Sequence, residues 1–191
     1  MSSVPIRKAN ATYEDLKTLP DTMVGQILDG ELYATPRPNW GHARATSILS
    51  GELGGPFDRG RGGPGGWLIV FEPELHFGRD VLVPDLAGWR RERLTAMTSS
   101  TPWTSVAPDW VCEVPSPATA SIDRVKKKHV YAREKVSWYW LIDPEARTLE
   151  ALRLGDDGHW VEIGTWSADA KVRAAPFDAI ELELQALWVD G

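Results

Sequence analysis

Hydrophobic and polar residues along this chain form short stretches whose periodicity predicts helices and strands in alternation. The stretch TYEDLKTLP predicts a short helix that begins at Thr12 and ends before Pro20. Asp29-Gly30 lies between two apolar runs, which is typical of a hairpin because both central turn positions favour a positive φ. Residues 39–53 carry apolar side chains near helical spacing and predict a second helix.

Glycine and proline mark the connections that follow. Residues 54–66 contain seven glycines and two prolines, and we expect them to form a flexible loop. The stretches GWLIVFEPELHF and DVLVPDLAGW then predict two strands joined by a hairpin-length connection. PDWVCEV predicts a third strand, which Pro115 and Pro117 end because proline cannot donate to a strand ladder.

The second half of the chain predicts a helix, a strand and a further hairpin. Residues 121–134 contain no helix breaker, and SWYWLID then predicts a fourth strand. TLEALRL and HWVEIGTW are typical of a hairpin over GDDG. These elements indicate an α/β fold in one domain over residues 12–191, preceded by a loosely held segment at residues 1–11.

The net charge, the cysteine count and the length of the apolar runs limit the classes of protein and site that this chain can represent. The chain has 191 residues, a formal net charge of −6 and a single cysteine, Cys112. A net negative charge argues against a large basic surface for general nucleic-acid binding, although a local basic patch remains compatible with DNA. One cysteine allows neither an internal disulfide nor a cysteine zinc site within one chain. No run of about 18 apolar residues is present, so we expect a cytoplasmic protein without a membrane span.

Two carboxylates interrupt apolar strands, and they are the candidates for chemistry. Asp85 and Glu113 each share a strand side with valines, on strands that follow one another in the chain. Two carboxylates that approach each other repel, and Mg²⁺ is the cation that best suits one or two carboxylates with several waters. Lys127 shares a helix face with Val130 and Tyr131, which would direct its amine toward the sheet. The alternative is ordinary: Asp85 as a strand-end residue and Glu113 as half of a salt bridge.

Several longer segments resemble a known family. VLVPDLAGWRRER, the segment from APDWVCEVPSP to the strand SWYWLID and beyond, and PFDAIELELQALW are similar to the Uma2 family of restriction-endonuclease-like proteins, also called domain of unknown function 820. LDGELYATPRP, followed by His42, resembles the N-terminal segment of that family. The resemblance implies the PD-(D/E)XK nuclease superfamily. It therefore implies a restriction-endonuclease-like core, with a mixed central sheet flanked by helices and with added N-terminal and C-terminal hairpins.

The resemblance also implies roles for individual residues. Asp85 and Glu113 correspond to metal ligands, with Mg²⁺ as the cofactor and Mn²⁺ as a substitute. The lysine of the superfamily would fall at Pro115, which lacks an amine. In the family the lysine lies on the following helix, four residues after an aspartate and four before a tyrosine, and Lys127 meets that spacing between Asp123 and Tyr131.

This chain departs from the family near the first hairpin. Gln26 stands where the family often has a glutamate four residues before the hairpin glycine. Glu31, after the turn, is either an accessory site residue or a surface residue of the hairpin. The family also usually has Leu where this chain has Pro115.

Three functions follow as hypotheses. The first is a metal-dependent DNA endonuclease that hydrolyses phosphodiester bonds through Asp85, Glu113 and Lys127, and that pairs as a homodimer. The second is a binding or scaffold protein that keeps the nuclease fold without turnover, which the net negative charge and Pro115 favour. The third is a hydrolase acting on another phosphodiester, since a metal site does not reveal what carries the phosphate.

Overall fold

The computed structural model of this chain describes residues 6–96, 101–116 and 119–189. The α-helices are α1 (Tyr13–Lys17), α2 (Trp40–Leu53) and α3 (Lys128–Arg133). Shorter helical segments are of the π type at Gly54–Asp58 and Ile122–Lys127 and of the 3₁₀ type at Arg91–Ala96 and Leu184–Leu187. The strands are β1 (Ile6–Lys8), β2 (Met23–Leu28), β3 (Glu31–Pro36), β4 (Trp67–Phe71), β5 (Glu74–Phe77), β6 (Asp80–Leu82), β7 (Leu86–Arg90), β8 (Trp103–Thr104), β9 (Trp110–Glu113), β10 (Trp138–Asp143), β11 (Thr148–Leu154), β12 (Trp160–Ser167), β13 (Lys171–Val172) and β14 (Leu182–Glu183).

Most strands belong to two six-stranded sheets. The first sheet has the order β1-β3-β2-β6-β5-β8, and the second has the order β12-β11-β10-β9-β7-β4. Within the second sheet β9 and β10 are parallel, whereas the other neighbours are antiparallel. The fold is therefore mixed α/β with mixed sheets, as the sequence predicts. In the part of the chain that the structure describes, no helix combines the length and apolar composition needed to span a bilayer.

The second sheet is covered on both faces. One face packs against α2 and the C-terminal segment through side chains such as Leu49, Trp140 and Phe177. The other packs against the first sheet and α3 through side chains such as Leu82 and Val130. Residues of β9 alternate between these two cores, so Glu113 shares with Val111 the side that faces the first sheet and α3.

Several local predictions are confirmed. The backbone N–H of Thr12 donates to Asp15 at 2.9 Å at the start of α1. Asp29 and Gly30 have φ values of 52° and 77°, as the predicted hairpin turn between β2 and β3 requires. The helix after residue 121 and the hairpin of β11 and β12 are also present.

The prediction of one strand at residues 66–77 and another at residues 80–89 is wrong in the extent of both strands. Each breaks into two, so that β4 and β7 pair in the second sheet while β5 and β6 form a hairpin in the first. The breaks fall at Glu72-Pro73 and Pro84-Asp85, where proline cannot continue the ladder. Glu72 has a φ of 44°, a sharp bend that helps to turn the chain from one sheet to the other.

The glycine-rich stretch is more ordered than predicted. Gly54–Asp58 forms a π turn that continues α2, and Phe57 is buried in the core with 1% exposure. Backbone hydrogen bonds then join Arg61 N to Gly55 O at 2.9 Å and Gly65 N to Pro56 O at 2.8 Å. The buried ring of Phe57 orders a segment whose glycine content alone would predict flexibility.

Part of the N-terminal segment is also more ordered than predicted. Ile6–Lys8, expected to be loosely held, forms β1 and pairs with β3. Residues 1–5 of that segment lie outside the described residues.

Candidate active site

A small pocket lies where the ends of β7 and β9 meet α2 and the helix that begins at residue 122. Its volume is about 50 Å³, enough for an ion or a water molecule. Its polar lining comprises Gln26, Thr35, His42, Glu72, Asp85, Glu113, Ser116, Thr119, Asp123 and Lys127. Asp85, Glu113 and Lys127, chosen from the sequence, therefore line one pocket.

Glu113 is the most deeply buried acid of this pocket. It is the last residue of β9 and is 1% exposed. Its Oε2 accepts from Lys127 Nζ at 2.8 Å, and its Oε1 accepts from Tyr131 Oη at 2.6 Å. Burial raises the pKa of Glu113 to about 8, because desolvation outweighs the attraction of Lys127. Asp123 and Asp85 also raise this pKa through repulsion.

Lys127 bridges two carboxylates of different elements. Its Nζ lies 2.8 Å from Glu113 Oε2 and 3.1 Å from Asp123 Oδ1, and the side chains are nearly inaccessible. Desolvation opposes the ammonium charge, but Asp123 and Glu113 raise the pKa of Lys127 overall. The lysine is therefore fully charged at neutral pH. Asp123, Lys127 and Tyr131 follow one another at intervals of four residues, which aligns them along one face of the helix.

Asp85 is held at the other side of the pocket. It follows Pro84 and directly precedes β7, whose Leu86 pairs with Cys112 of β9. Continuing this antiparallel register by one residue places Asp85 beside Glu113. The Asp85 Oδ2 accepts from Val114 N at 2.7 Å, and Oδ1 lies 2.8 Å from His42 Nε2. These two contacts fix the orientation of the carboxylate.

Three ionisable residues of the pocket are not among the site residues that the sequence predicts. His42 lies in the first turn of α2, where Asn39 accepts from its backbone N–H at 3.0 Å. Asp123 enters the sequence pattern only through its spacing from Lys127. Glu72 lies at the bend after β4, and burial together with the nearby Asp85 raises its pKa. Only the fold shows that these residues meet, since they are up to 81 positions apart in the sequence.

Of Gln26 and Glu31, the uncharged residue lies in the pocket and the charged residue lies at the surface. Gln26 lines the pocket and its Oε1 accepts from Val83 N at 3.1 Å. Glu31 lies at the protein surface, where its Oε2 is 3.6 Å from Lys126 Nζ and also accepts from Tyr33 Oη. The structure thus places Glu31 in a surface cluster of the hairpin, outside the described lining of the pocket.

The donor set suits a hard divalent cation. Asp85, Glu113 and Asp123 place three carboxylates around one ammonium, so added positive charge would relieve repulsion. Asp123 Oδ1 is buried without a hydrogen bond, because its contact with Lys127 is ionic but poorly aligned. Mg²⁺ needs only one or two protein carboxylates and keeps several waters. Among the described residues no three His, Cys, Asp or Glu side chains form a metal cluster.

Comparisons with known proteins agree with this architecture. Residues 11–186 match the Uma2 family, which is described as "putative restriction endonuclease". The crystal structure of a putative nuclease belonging to DUF820 from Anabaena variabilis has a similar fold, with a TM-score of 0.73 and 21% identity over 93% of this chain and 97% of that one. Among curated proteins, none matches this chain. Because the family match spans nearly the whole sequence, this chain belongs to the Uma2 family.

Proposed function

We propose that this chain is a divalent-metal-dependent endonuclease that hydrolyses phosphodiester bonds of DNA. The observation that carries the proposal is the juxtaposition of Asp85 and Glu113 on neighbouring strands, with the Lys127 ammonium 2.8 Å from Glu113. Carboxylates that converge with a lysine in a cleft are suited to binding a hard cation and a phosphate group together. Membership of the family supports the same reaction class.

Each residue has a distinct part in this proposal. Asp85 and Glu113 would hold Mg²⁺, which supplies positive charge for the phosphate oxygens when it is bound. Lys127 would orient the attacking water and stabilise negative charge that develops on the phosphate. Asp123 would hold the ammonium beside the site, and His42 would hold Asp85 in position.

The reaction itself is a simple hydrolysis. The oxygen of water forms a bond to phosphorus, the bond from phosphorus to one ester oxygen breaks, and that leaving oxygen takes up a proton. A homodimer would bring two such centres together, one for each strand of a duplex, and the proposal includes this arrangement. Size-exclusion chromatography with light scattering tests this part separately.

Cleavage of DNA provides the direct test. Wild-type protein with Mg²⁺ or Mn²⁺ is expected to nick or linearise plasmid DNA, and EDTA is expected to stop the reaction. Asp85→Asn and Lys127→Met are expected to lose activity at least 100-fold, the scale on which single electrostatic groups contribute to catalysis. Lys128→Met serves as the matched control, because Lys128 lies on the same helix without a described contact to the pocket. Cleavage that survives Asp85→Asn would remove the assigned mechanism.

A binding protein without turnover is the second candidate. Both oxygens of Glu113 and both oxygens of Asp85 already contact protein groups. A cation must therefore compete with Lys127, Tyr131, His42 and the backbone of Val114. Calorimetric titration with Mn²⁺ in the presence of DNA separates the candidates, since a protein with no affinity for the cation cannot be the proposed enzyme.

A further inference from the structure

The pocket around Asp85, Glu113 and Lys127 is too small for a nucleotide, so a nucleic acid would lie mostly outside it. Its volume of about 50 Å³ compares with about 670 Å³ and about 500 Å³ for two neighbouring grooves. Both grooves share Glu72 with the pocket, and the larger also shares Val83. The larger volumes fall in the range of small-molecule binding sites.

The larger groove, which we call the aromatic groove, is lined by Phe71, Trp89 and Trp103 together with Glu72 and Glu74. Phe71 is 54% exposed and Trp103 is 40% exposed. The Trp103 ring stacks on His76, with ring centres 4.6 Å apart and an angle of 17° between the planes. His76 is itself fixed by Glu74, whose Oε1 lies 2.7 Å from His76 Nε2. Trp103 is therefore a supported ring that still has exposed surface.

The charges of the two grooves differ. Among its described lining residues the aromatic groove has Glu72 and Glu74 but no lysine or arginine, so it would repel a phosphate. The smaller groove also contains Glu72, but it adds Arg37 and the hydroxyl groups of Ser47 and Ser50, which suit phosphate oxygens. The aromatic groove suits a planar group that has apolar faces and hydrogen-bond donors along its edge. Nucleobases are such groups, because their faces stack on aromatic rings and their amino groups donate to carboxylates.

We propose that the aromatic groove binds one unstacked nucleobase of a single-stranded nucleic acid, next to the phosphate that is cleaved. This inference rests on the proposed nuclease function and specifies its substrate. Stacking on an aromatic side chain strengthens the binding of an unpaired base. Unstacking and unpairing a base in an intact duplex costs free energy, which offsets that gain. Single strands, flaps and frayed ends are therefore favoured over intact duplex.

Binding of labelled oligonucleotides, followed by fluorescence anisotropy, tests the inference without cleavage. In an Asp85→Asn background, Trp103→Ala is expected to weaken binding of a single-stranded 12-mer about 5- to 150-fold, the equivalent of 1–3 kcal/mol. Trp103→Phe is expected to retain most of the affinity, because it keeps an aromatic face. The duplex of the same sequence is expected to bind more weakly and to be insensitive to Trp103→Ala.

Oligonucleotides with one abasic residue identify the contact more sharply. When the abasic residue is moved along the 12-mer, one position is expected to cost as much affinity as Trp103→Ala does. The two changes together are expected to cost no more than either alone, since both remove the same stacking contact. Additive losses would overturn the inference.

Trp40→Ala is the matched control. Trp40 is 86% exposed at the start of α2 and lies outside the described lining of the aromatic groove. Unchanged binding by Trp103→Ala, an equal loss for duplex, or a loss confined to Trp40→Ala would each overturn the inference.

Failure of this inference and failure of the nuclease assignment give different results. Normal cleavage by wild-type protein and by Trp103→Ala, with equal kcat/KM on single strands, removes the base site and leaves the nuclease. Binding that depends on Trp103, with no cleavage under any metal, supports the base site and removes the nuclease.

Discussion

The ammonium of Lys127 lies 2.8 Å from the carboxylate of Glu113, in surroundings where neither side chain is more than 3% exposed. The lysine comes from a helix and the glutamate from the end of a strand, 14 residues earlier. Pro115, two residues after Glu113, is also buried and cannot supply an amine. The amine beside Glu113 therefore comes from the helix that follows the strand, and not from the end of the strand itself.

Removal of Lys127 is expected to destabilise the protein substantially. Lys127→Met leaves Asp123 buried without its cation and removes the hydrogen bond to Glu113, and loss of one partner of a buried pair costs about 3–5 kcal/mol. Urea unfolding at neutral pH measures the change. The double variant Glu113→Gln with Lys127→Met is expected to recover part of the loss, whereas a loss equal to the sum of the two single variants would contradict the pairing.

Glu113 is expected to make stability depend on pH. Its pKa rises from an ordinary 4.5 to about 8 in the folded protein, so the folded state holds a proton that the unfolded state releases. The stabilising contribution is complete below about pH 4.5 and is lost as the pH rises toward 8, with a slope of at most about 1.4 kcal/mol per pH unit. Glu113→Gln is expected to remove this slope between pH 5 and 8. Parallel unfolding curves for the two proteins across that range would argue against the raised pKa.

Addition of a divalent cation is expected to stabilise the folded protein. Binding to the native state alone contributes about 2.7 kcal/mol at a cation concentration of one hundred times Kd. A rise in Tm with Mg²⁺ or Mn²⁺, reversed by EDTA, is therefore expected for wild type. Asp85→Asn is expected to abolish the rise, and an equal rise in this variant would place the cation elsewhere.

His42 is expected to act on the cation through Asp85. Its Nε2 lies 2.8 Å from Asp85 Oδ1, and loss of such an orienting contact typically lowers metal affinity about 10- to 100-fold. His42→Ala is expected to show this loss in a calorimetric titration with Mn²⁺. His129→Ala, at an exposed position of α3, is expected to bind the cation normally. Equal affinity of the two variants would leave His42 without a positioning role.

The glycine-rich stretch after α2 is expected to be intolerant of side chains at Gly63. A Cβ there would lie 2.8 Å from Pro56 O and 2.9 Å from Pro56 Cα, which are backbone atoms. Gly63→Ala is therefore expected to cost about 1–3 kcal/mol in the free energy of unfolding. Gly51→Ala, inside α2 with no atom within 4 Å of the added Cβ, is expected to stabilise by about 0.5–1 kcal/mol. A flexible stretch would show no cost at Gly63.

Local rules predicted the individual elements better than their arrangement. The capped helix at Thr12, the turn at Asp29-Gly30 and the strand that ends at Glu113 follow from contacts within a few residues. The division of residues 66–90 between two sheets does not, because an apolar run has the same pattern in either sheet.

The same distinction holds for the pocket. Asp85 and Glu113 are recognisable in the sequence because acids are unusual in apolar strands, and Lys127 follows from the spacing of the family. His42 belongs to a segment that resembles the family but carries no signal of a site role, and Glu72 carries none either, since a histidine in a first helical turn and a glutamate before a proline are common at surfaces. Phe57 illustrates the converse, because one buried ring orders a stretch whose composition predicts mobility.

The chain leaves the second sheet at Glu72-Pro73 and returns to it at Pro84-Asp85, so both crossing points carry an acid that lines the pocket. The hairpin of β5 and β6 between them is anchored in the first sheet. The positions of these two acids therefore depend on how the first sheet packs against the second. A substitution that loosened this packing would displace Glu72 and Asp85 together, even if the substituted residue lay far from every charged group.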